Sequence, residues 1–231
     1  MSYRNWRVTE RRTETPSVTT LTLVPEHGEI PKFISGQFVN VVFPHLGEEA
    51  KSYSIASAPE DDFLALSVRA QGAFSHALIS LAVGDTLQIS EPCGFFYPED
   101  ETTPKVFVAA GIGIMPFVSM LRHEQAIGGH AQTLILYSNR SPNDVPFLNE
   151  LSEHEQENRC TVRHFITGEN DNTIKNATSR RIVTEDLSTA NTQAPNAIFF
   201  LCGSIGFVRD MRTLSKEAGV LEENIFTEAF F

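Results

Sequence analysis

The sequence predicts an antiparallel β-barrel over residues 1–100 followed by an α/β parallel-sheet domain over residues 101–231. Three observations carry that expectation. Apolar residues alternate with period two through the first hundred positions, a polar stretch bracketed by prolines follows, and apolar strands then alternate with helical segments. The chain has 231 residues, 41% of them apolar, with 14 glycines and 12 prolines, a globular composition able to bury a core.

In the first part, Leu21 and Leu23, then Val39, Val41 and Phe43, then Leu64, Leu66 and Val68, then Leu87 and Ile89 read as half-buried strands. Pro25, Gly28, Pro44, Gly47, Pro59, Gly84 and Pro92 separate them. Short strands at irregular spacing suit a small barrel. One helix is expected from Ser75 to Leu81, with Ser75 as its N-cap and Ala77, Leu78 and Leu81 on one face. Tyr97 to Pro104 has the polar, acidic composition of a linker. Beyond it come strand Lys105 to Ala110, helix Pro116 to His123, strand Thr133 to Tyr137 and helix Pro146 to Glu155. Strand Val162 to Thr167, helix Thr184 to Leu187, strand Ala197 to Cys202 and helix Gly206 to Ala218 complete the alternation.

The net charge is −11, with 13 acidic against 7 basic residues in the first hundred and 16 against 11 in the remainder. Two acidic halves argue against a nucleic-acid partner. The basic cluster Arg4, Arg7, Arg11 and Arg12 reads as a solvated strand face. No apolar run reaches the ~20 residues of a membrane span, and the start, MSYRNWRVTERR, lacks a signal-peptide core, so a cytoplasmic protein is expected, as a monomer. Cys93, Cys160 and Cys202 are too few and too scattered for a disulfide framework, a zinc site or an iron-sulfur cluster, so no metal is expected.

Four motifs bear on chemistry. Val106 to Pro116 is a strand, turn and helix with Gly111, Ile112 and Gly113 in the turn, where a dinucleotide phosphate can approach the backbone at a helix N-terminus. Cys202-Gly203-Ser204 makes a second such turn after the last strand of the alternation. Lys51-Ser52-Tyr53-Ser54 carries a cation, an aromatic ring and hydroxyls on one strand, and Gly72-Ala73-Phe74-Ser75 opens the short helix. Cations, hydroxyls and helix termini are all partners of phosphate. Each motif alone has a plain structural reading, as a glycine turn, a core cysteine, an ordinary strand or a capped helix.

Taken together, over essentially the whole chain and in this order, these segments resemble the ferredoxin-NADP reductase family of flavin oxidoreductases. Ser35-Gly36-Gln37-Phe38-Val39 is similar to the family's Pro-Gly-Gln-Phe/Tyr-Val strand, and Lys51-x-Tyr53-Ser54 to its Arg-x-Tyr-Ser/Thr flavin motif. Gly72-x-x-Ser75 is similar to its FAD pyrophosphate loop, Gly111-Ile112-Gly113-Ile114-x-Pro116 to its nicotinamide-side loop, and Cys202-Gly203 to its Cys-Gly-Pro motif. Glu228-Ala229-Phe230-Phe231 is similar to the family's ending.

The resemblance implies an FAD-binding first domain, a nucleotide-binding second domain and a role for each matched position. Tyr53 would stack on the isoalloxazine and Ser54 would hydrogen-bond flavin N5. Lys51 would neutralise the pyrophosphate beside Ser52, and the turn Gly72 to Ser75 would cradle it, with Val68 among the cofactor contacts. Gly111, Ile112 and Gly113 would border the NAD(P)H pyrophosphate. Cys202, with Gly203, and Glu228 would lie by the nicotinamide, and Phe230 or Phe231 would cover the second flavin face. Ser54, Cys202 and Glu228 are thus the expected catalytic set.

Three positions depart from the family pattern: Lys51 stands for arginine, Met115 for threonine and Ser204 for proline. A lysine offers a point charge where arginine offers a fork, which loosens flavin retention. The implied activity is hydride transfer from NAD(P)H to FAD, then release of single electrons to a separate acceptor such as ferredoxin, flavodoxin or an oxygenase component. Two alternatives are a reductase that uses free flavin as substrate and a nucleotide-binding subunit of a larger electron-transfer complex. Arg140 is the one cation expected near a 2′-phosphate, and Glu169 and Asp171 on the next loop would repel it, so the expectation leans to NADH over NADPH.

Overall fold

The computed structural model describes residues 2–43, 50–168, 173–174 and 177–230. The chain divides into two compact units, Met1–Tyr97 with Met115–Ala126, and Pro98–Ile114 with Ile127–Phe231.

In the first unit, strands β1 (Tyr3–Thr15), β2 (Val18–Pro25), β3 (Phe38–Val42), β4 (Lys51–Ser54), β5 (Leu64–Arg69) and β6 (Thr86–Ser90) form a six-stranded sheet in the order β4-β3-β6-β1-β2-β5. Every pairing is antiparallel. The sheet curls until its two edges meet beyond β4, where Ile55 bridges Leu66 and Ala56 N donates to Ala65 O. Alternation sends Leu21, Leu23, Val39, Val41, Leu64, Leu66, Val68, Leu87 and Ile89 to the inside of the curl, around a fully buried Trp6.

β1 is the strand that hydrophobic alternation does not reveal. Trp6 and Val8 are its buried anchors in the first half, whereas Arg7, Glu10, Arg11 and Arg12 face solvent. Arg4 pairs with Glu91 and Arg12 with Glu14, so the basic cluster is a solvated face in which carboxylates sit beside arginines.

Helix α1 (Ala73–Ile79) starts two residues before the expected Ser75. Its N-cap is Gly72 at φ +86°, a left-handed conformation that glycine adopts without steric cost. Helix α2 (Met115–Ala126) follows the glycine turn of the second unit in sequence yet packs with the first, where Phe117 lies 5.8 Å from Phe96.

In the second unit, strands β7 (Lys105–Ala110), β8 (Thr133–Asn139), β9 (Thr161–Ile166), β10 (Ile198–Ser204) and β11 (Ile225–Phe230) form a parallel sheet in the order β11-β10-β7-β8-β9. The chain steps outward from β7 to β9 and then returns to lay β10 on the other side of β7. Such a reversal opens a crevice at the carboxyl ends of the two central strands. Helices α3 (Leu148–Gln156), α4 (Thr184–Gln193) and α5 (Ile205–Glu217) complete the unit. α3 begins later than expected because Pro142–Asp144 forms a separate 3-10 turn and Phe147 adopts φ +58°. α4 runs past Leu187, its start held by Val183 N donating to Asp186 Oδ2, and α5 is capped by Ser204 Oγ. Among the described residues, no helix is long and apolar enough to cross a membrane.

Candidate functional site

On the first unit the candidate residues lie along an edge strand and a turn. β4 pairs with β3 in the register Phe38↔Ser54 and Val39↔Tyr53. Alternation places Lys51 and Tyr53 on one face and Ser52 and Ser54 on the other. Tyr53 is half-buried against the core, its ring stacked on Phe74 at 6.4 Å and 21°, and Phe74 in turn lies 5.2 Å from Phe43. Burial pushes the Tyr53 phenol up to about 12, so it stays neutral through the physiological range. Lys51 is exposed, Ser54 half-buried, and Ser52 Oγ donates to Asn40 Oδ1 at 2.7 Å.

At the head of α1, Gly72 and Ala73 are exposed, and a Cβ added at Gly72 would meet no atom within 4 Å. The turn is open on its outer side. Ser75 does not cap the helix as expected. Its hydroxyl accepts from Gln71 N at 2.6 Å and donates to Gly72 O at 3.1 Å, tying the turn from within at 6% exposure. Val68 is 1% exposed and its side chain lies in the core.

On the second unit the glycine turn and the cysteine turn meet. Gly111–Ile114 forms a 3-10 turn after β7, with Gly111 at φ +52°. A Cβ at Gly113 would stand 2.4 Å from Cys202 O and 2.9 Å from Gly203 Cα, so only glycine lets the turn settle on β10. Gly203 is equally confined, its added Cβ 2.8 Å from the Phe207 ring and 3.2 Å from Ala110 Cβ. Gly111 and Ile112 remain half-buried, at the open side of the turn. This is the switch point of the sheet, where such folds take their ligands.

Cys202 is 0% exposed. Burial pushes its thiol well up, and the neighbouring Glu228 carboxylate pushes the same way. The group is a neutral wall and not a nucleophile. Parallel register sets Cys202 against Glu228 and Ser204 against Phe230, which unites three expected residues on two neighbouring strands. Phe231 lies outside the described residues, as do Glu169 and Asp171. Arg140 is exposed at the end of β8, and Gly168 N donates to its carbonyl at 2.9 Å. A Cβ at Gly168 would sit 2.7 Å from that same oxygen.

Sequence reasoning missed Tyr137. Fully buried in β8, it donates its hydroxyl to Gly111 O at 2.9 Å and so holds the start of the glycine turn. An aromatic residue inside an apolar strand carries no local sign of such a duty.

The residues present fit two nucleotide cofactors. An edge strand with a cation, a ring and hydroxyls, beside a glycine turn with open space, suits a flavin dinucleotide. A glycine turn packed on the neighbouring strand at the switch point suits a nicotinamide dinucleotide. The oxidoreductase FAD-binding domain family matches residues 5–97, and the oxidoreductase NAD-binding domain family matches residues 107–213. A flavohemoprotein of Bacillus anthracis is 27% identical over 245 residues, covering 99% of this chain and 61% of its own. The flavohem-like FAD/NAD-binding domain of nitric oxide dioxygenase from Vibrio cholerae superposes with a TM-score of 0.87 at 23% identity, 98% of each chain being covered. Flavohemoglobin from Malassezia yamatoensis, with bound FAD and haem, superposes with a TM-score of 0.86 at 25% identity over 100% of this chain and 61% of that one. The chain thus spans about three fifths of the length of the curated relatives it matches.

Proposed function

The chain belongs to the ferredoxin-NADP reductase family of flavin oxidoreductases, and on that premise we propose that it is an NAD(P)H-dependent reductase that delivers electrons singly to a separate acceptor protein. Bound FAD supplies the chemistry that the side chains lack, accepting a hydride and returning its two electrons one at a time. The residues bind, orient and exclude water. Tyr53 offers an uncharged ring for stacking, Ser54 a hydroxyl for flavin N5, and Lys51 a charge for the pyrophosphate at the Gly72 turn. Gly111 and Ile112, on the open side of the turn, border the nicotinamide dinucleotide phosphates, and Gly113 seats that turn on β10. The neutral Cys202 and the half-buried Glu228 stand at the nicotinamide side.

The observation that carries this reading is the seating of Gly113 on Cys202 and Gly203, which lays the glycine turn on β10 at the switch point of the sheet. The acceptor belongs to the class of ferredoxins, flavodoxins, haem proteins or oxygenase components. A haem acceptor is supported by the flavohemoglobin of Malassezia yamatoensis, whose structure holds both FAD and haem. None of Cys93, Cys160 and Cys202 is in a disulfide, which supports a reducing compartment and the cytoplasm. At the end of β8, among the described residues, the cation is Arg140 alone, and a 2′-phosphate is best held by a fork of several, which favours NADH. A second reading, reduction of flavin as a released substrate, is favoured by Lys51, a point charge where a retained pyrophosphate would gain from two parallel bonds.

Purified protein is expected to be yellow, with about one FAD per chain, and to bleach with NADH. The double variant Lys51→Ala with Ser75→Ala should emerge from gel filtration without flavin but with its circular dichroism intact. Full flavin absorbance in that variant removes the pyrophosphate assignment. A colourless wild type that oxidises NADH only with added flavin selects the second reading, and a tenfold or larger kcat/KM advantage for NADPH overturns the nucleotide preference.

A further inference from the structure

We infer that Ser119 and Arg122 of α2 are positioning residues that hold the flavin strand in register, an inference that rests on the proposed roles of Tyr53 and Ser54. β4 ends at Ser54, and the chain continues through Ile55, Ala56, Ser57 and Ala58, all four of them buried. Buried backbone groups need partners. Ile55 N donates to Gln37 O, Ala56 N to Ala65 O, and Ala65 N to Ser57 Oγ. The carbonyls of Ala56 and Ser57 find theirs on α2. Arg122 Nη1 donates to Ala56 O at 2.8 Å, and Ser119 Oγ donates to Ser57 O at 2.6 Å. One residue further along the helix, His123 Nδ1 meets the Glu60 carboxylate at 2.8 and 2.9 Å.

Positions 119, 122 and 123 share one helix face, so three side chains grip Ala56, Ser57 and Glu60 in the segment that follows Ser54. The choice of residues is informative. From Met115 to Leu121 the helix is buried and apolar except for Ser119, whose hydroxyl is 0% exposed. A buried hydroxyl costs stability unless it is hydrogen-bonded, and alanine is the better helix former. Serine at 119 therefore serves the Ser57 carbonyl and not the helix.

The pinned carbonyls lie two and three residues beyond Ser54, the hydroxyl assigned to flavin N5. Without the anchors the segment relaxes, the Ser54 hydroxyl drifts, and hydride transfer, which is steeply sensitive to misplacement, slows. FAD stays bound, because Lys51 is at the far end of β4 from the pinned carbonyls and the Gly72 turn is separate from them.

The test uses the full chain with Ser119→Ala, Arg122→Gln, the pair, and Arg122→Lys. In apo protein, amide hydrogen exchange of peptides covering residues 52–58 should quicken at least tenfold in the pair, with α1 peptides unchanged. In FAD-loaded protein, stopped-flow bleaching at saturating NADH should slow by about tenfold with little change in KM, and Arg122→Lys should recover most of the rate. Wild-type exchange and wild-type bleaching in the pair overturn the inference. So does faster exchange throughout the first unit with loss of FAD, the signature of a packing role alone. If the pair does not fold, Ser119→Ala by itself is judged by the same two outcomes. A wild type that neither holds FAD nor bleaches with NADH refutes the flavin assignment instead, while exchange in the apo chain still judges the anchors.

Discussion

Tyr137 and His164 face each other across β8 and β9, ring centroids 6.0 Å apart, and each bears on a different measurable property. Tyr137→Phe removes the donor to Gly111 O and leaves the core volume nearly unchanged. The expected result is a rise of about tenfold in KM for NADH, corresponding to the roughly 1–1.5 kcal/mol of a lost hydrogen bond, with FAD content unchanged. Steady-state kinetics beside flavin absorbance checks it. Burial pushes His164 down to about 4, and its Nδ1 has no hydrogen-bond partner, so the folded protein holds it neutral. The unfolded chain binds the proton from about pH 6.5 downward. Stability from this group is therefore complete above pH 6.5, lost as pH falls towards 4, and worth about 2–3 kcal/mol between pH 7 and 4.5. Urea titrations at the two pH values should show that slope, and His164→Leu should flatten it. Neither duty is legible in the sequence, since Tyr137 acts on a turn that folding brings to it and His164 is set by burial. Cys202 and Glu228 were named from the resemblance, but their adjacency is likewise a product of register, 26 positions apart in the chain.

At the scale of elements, legibility followed the strength of periodic burial. Leu21 and Leu23, Val39 and Val41, or Leu64, Leu66 and Val68 announce their strands because one face is wholly inside the curl. β1 is silent over its second half because that half faces solvent, and β11 is a half-exposed edge with no clean alternation. The head of α1 lies two residues before Ser75: a serine looks like a cap in sequence, whereas the positive φ of Gly72 is what turns the chain. Glycines after strands were the reliable signal. Gly113→Ala forces a methyl to within 2.4 Å of a backbone oxygen that has no rotamer to yield. The turn must lift off β10, and NADH-driven bleaching is expected to fall at least a hundredfold while FAD remains bound. An alanine variant with normal single-turnover rates would show that the turn can move without loss.

For the whole molecule, the proline-bracketed segment at 97–104 marks a change of composition, and a cut there divides one of the two compact units. α2 is encoded beyond it and packs before it, with Phe117 against Phe96 and Ser119 and Arg122 on the carbonyls of Ser57 and Ala56. A fragment ending near residue 100 loses the cover of Phe96 and the partners of two buried carbonyls, while the complementary fragment carries an apolar helix with nothing to shield it. Gene dissection at the linker should therefore yield two insoluble or molten products that recover structure only when co-expressed. The intact chain should melt in a single calorimetric transition, with calorimetric and van't Hoff enthalpies equal. Two resolved transitions, or a soluble and cooperatively folded 1–100 fragment, would show the halves to be separable. By lending one helix backwards across its own linker, the chain closes its first unit with a segment synthesised only after that unit's strands, so the first half waits on sequence from beyond its own boundary.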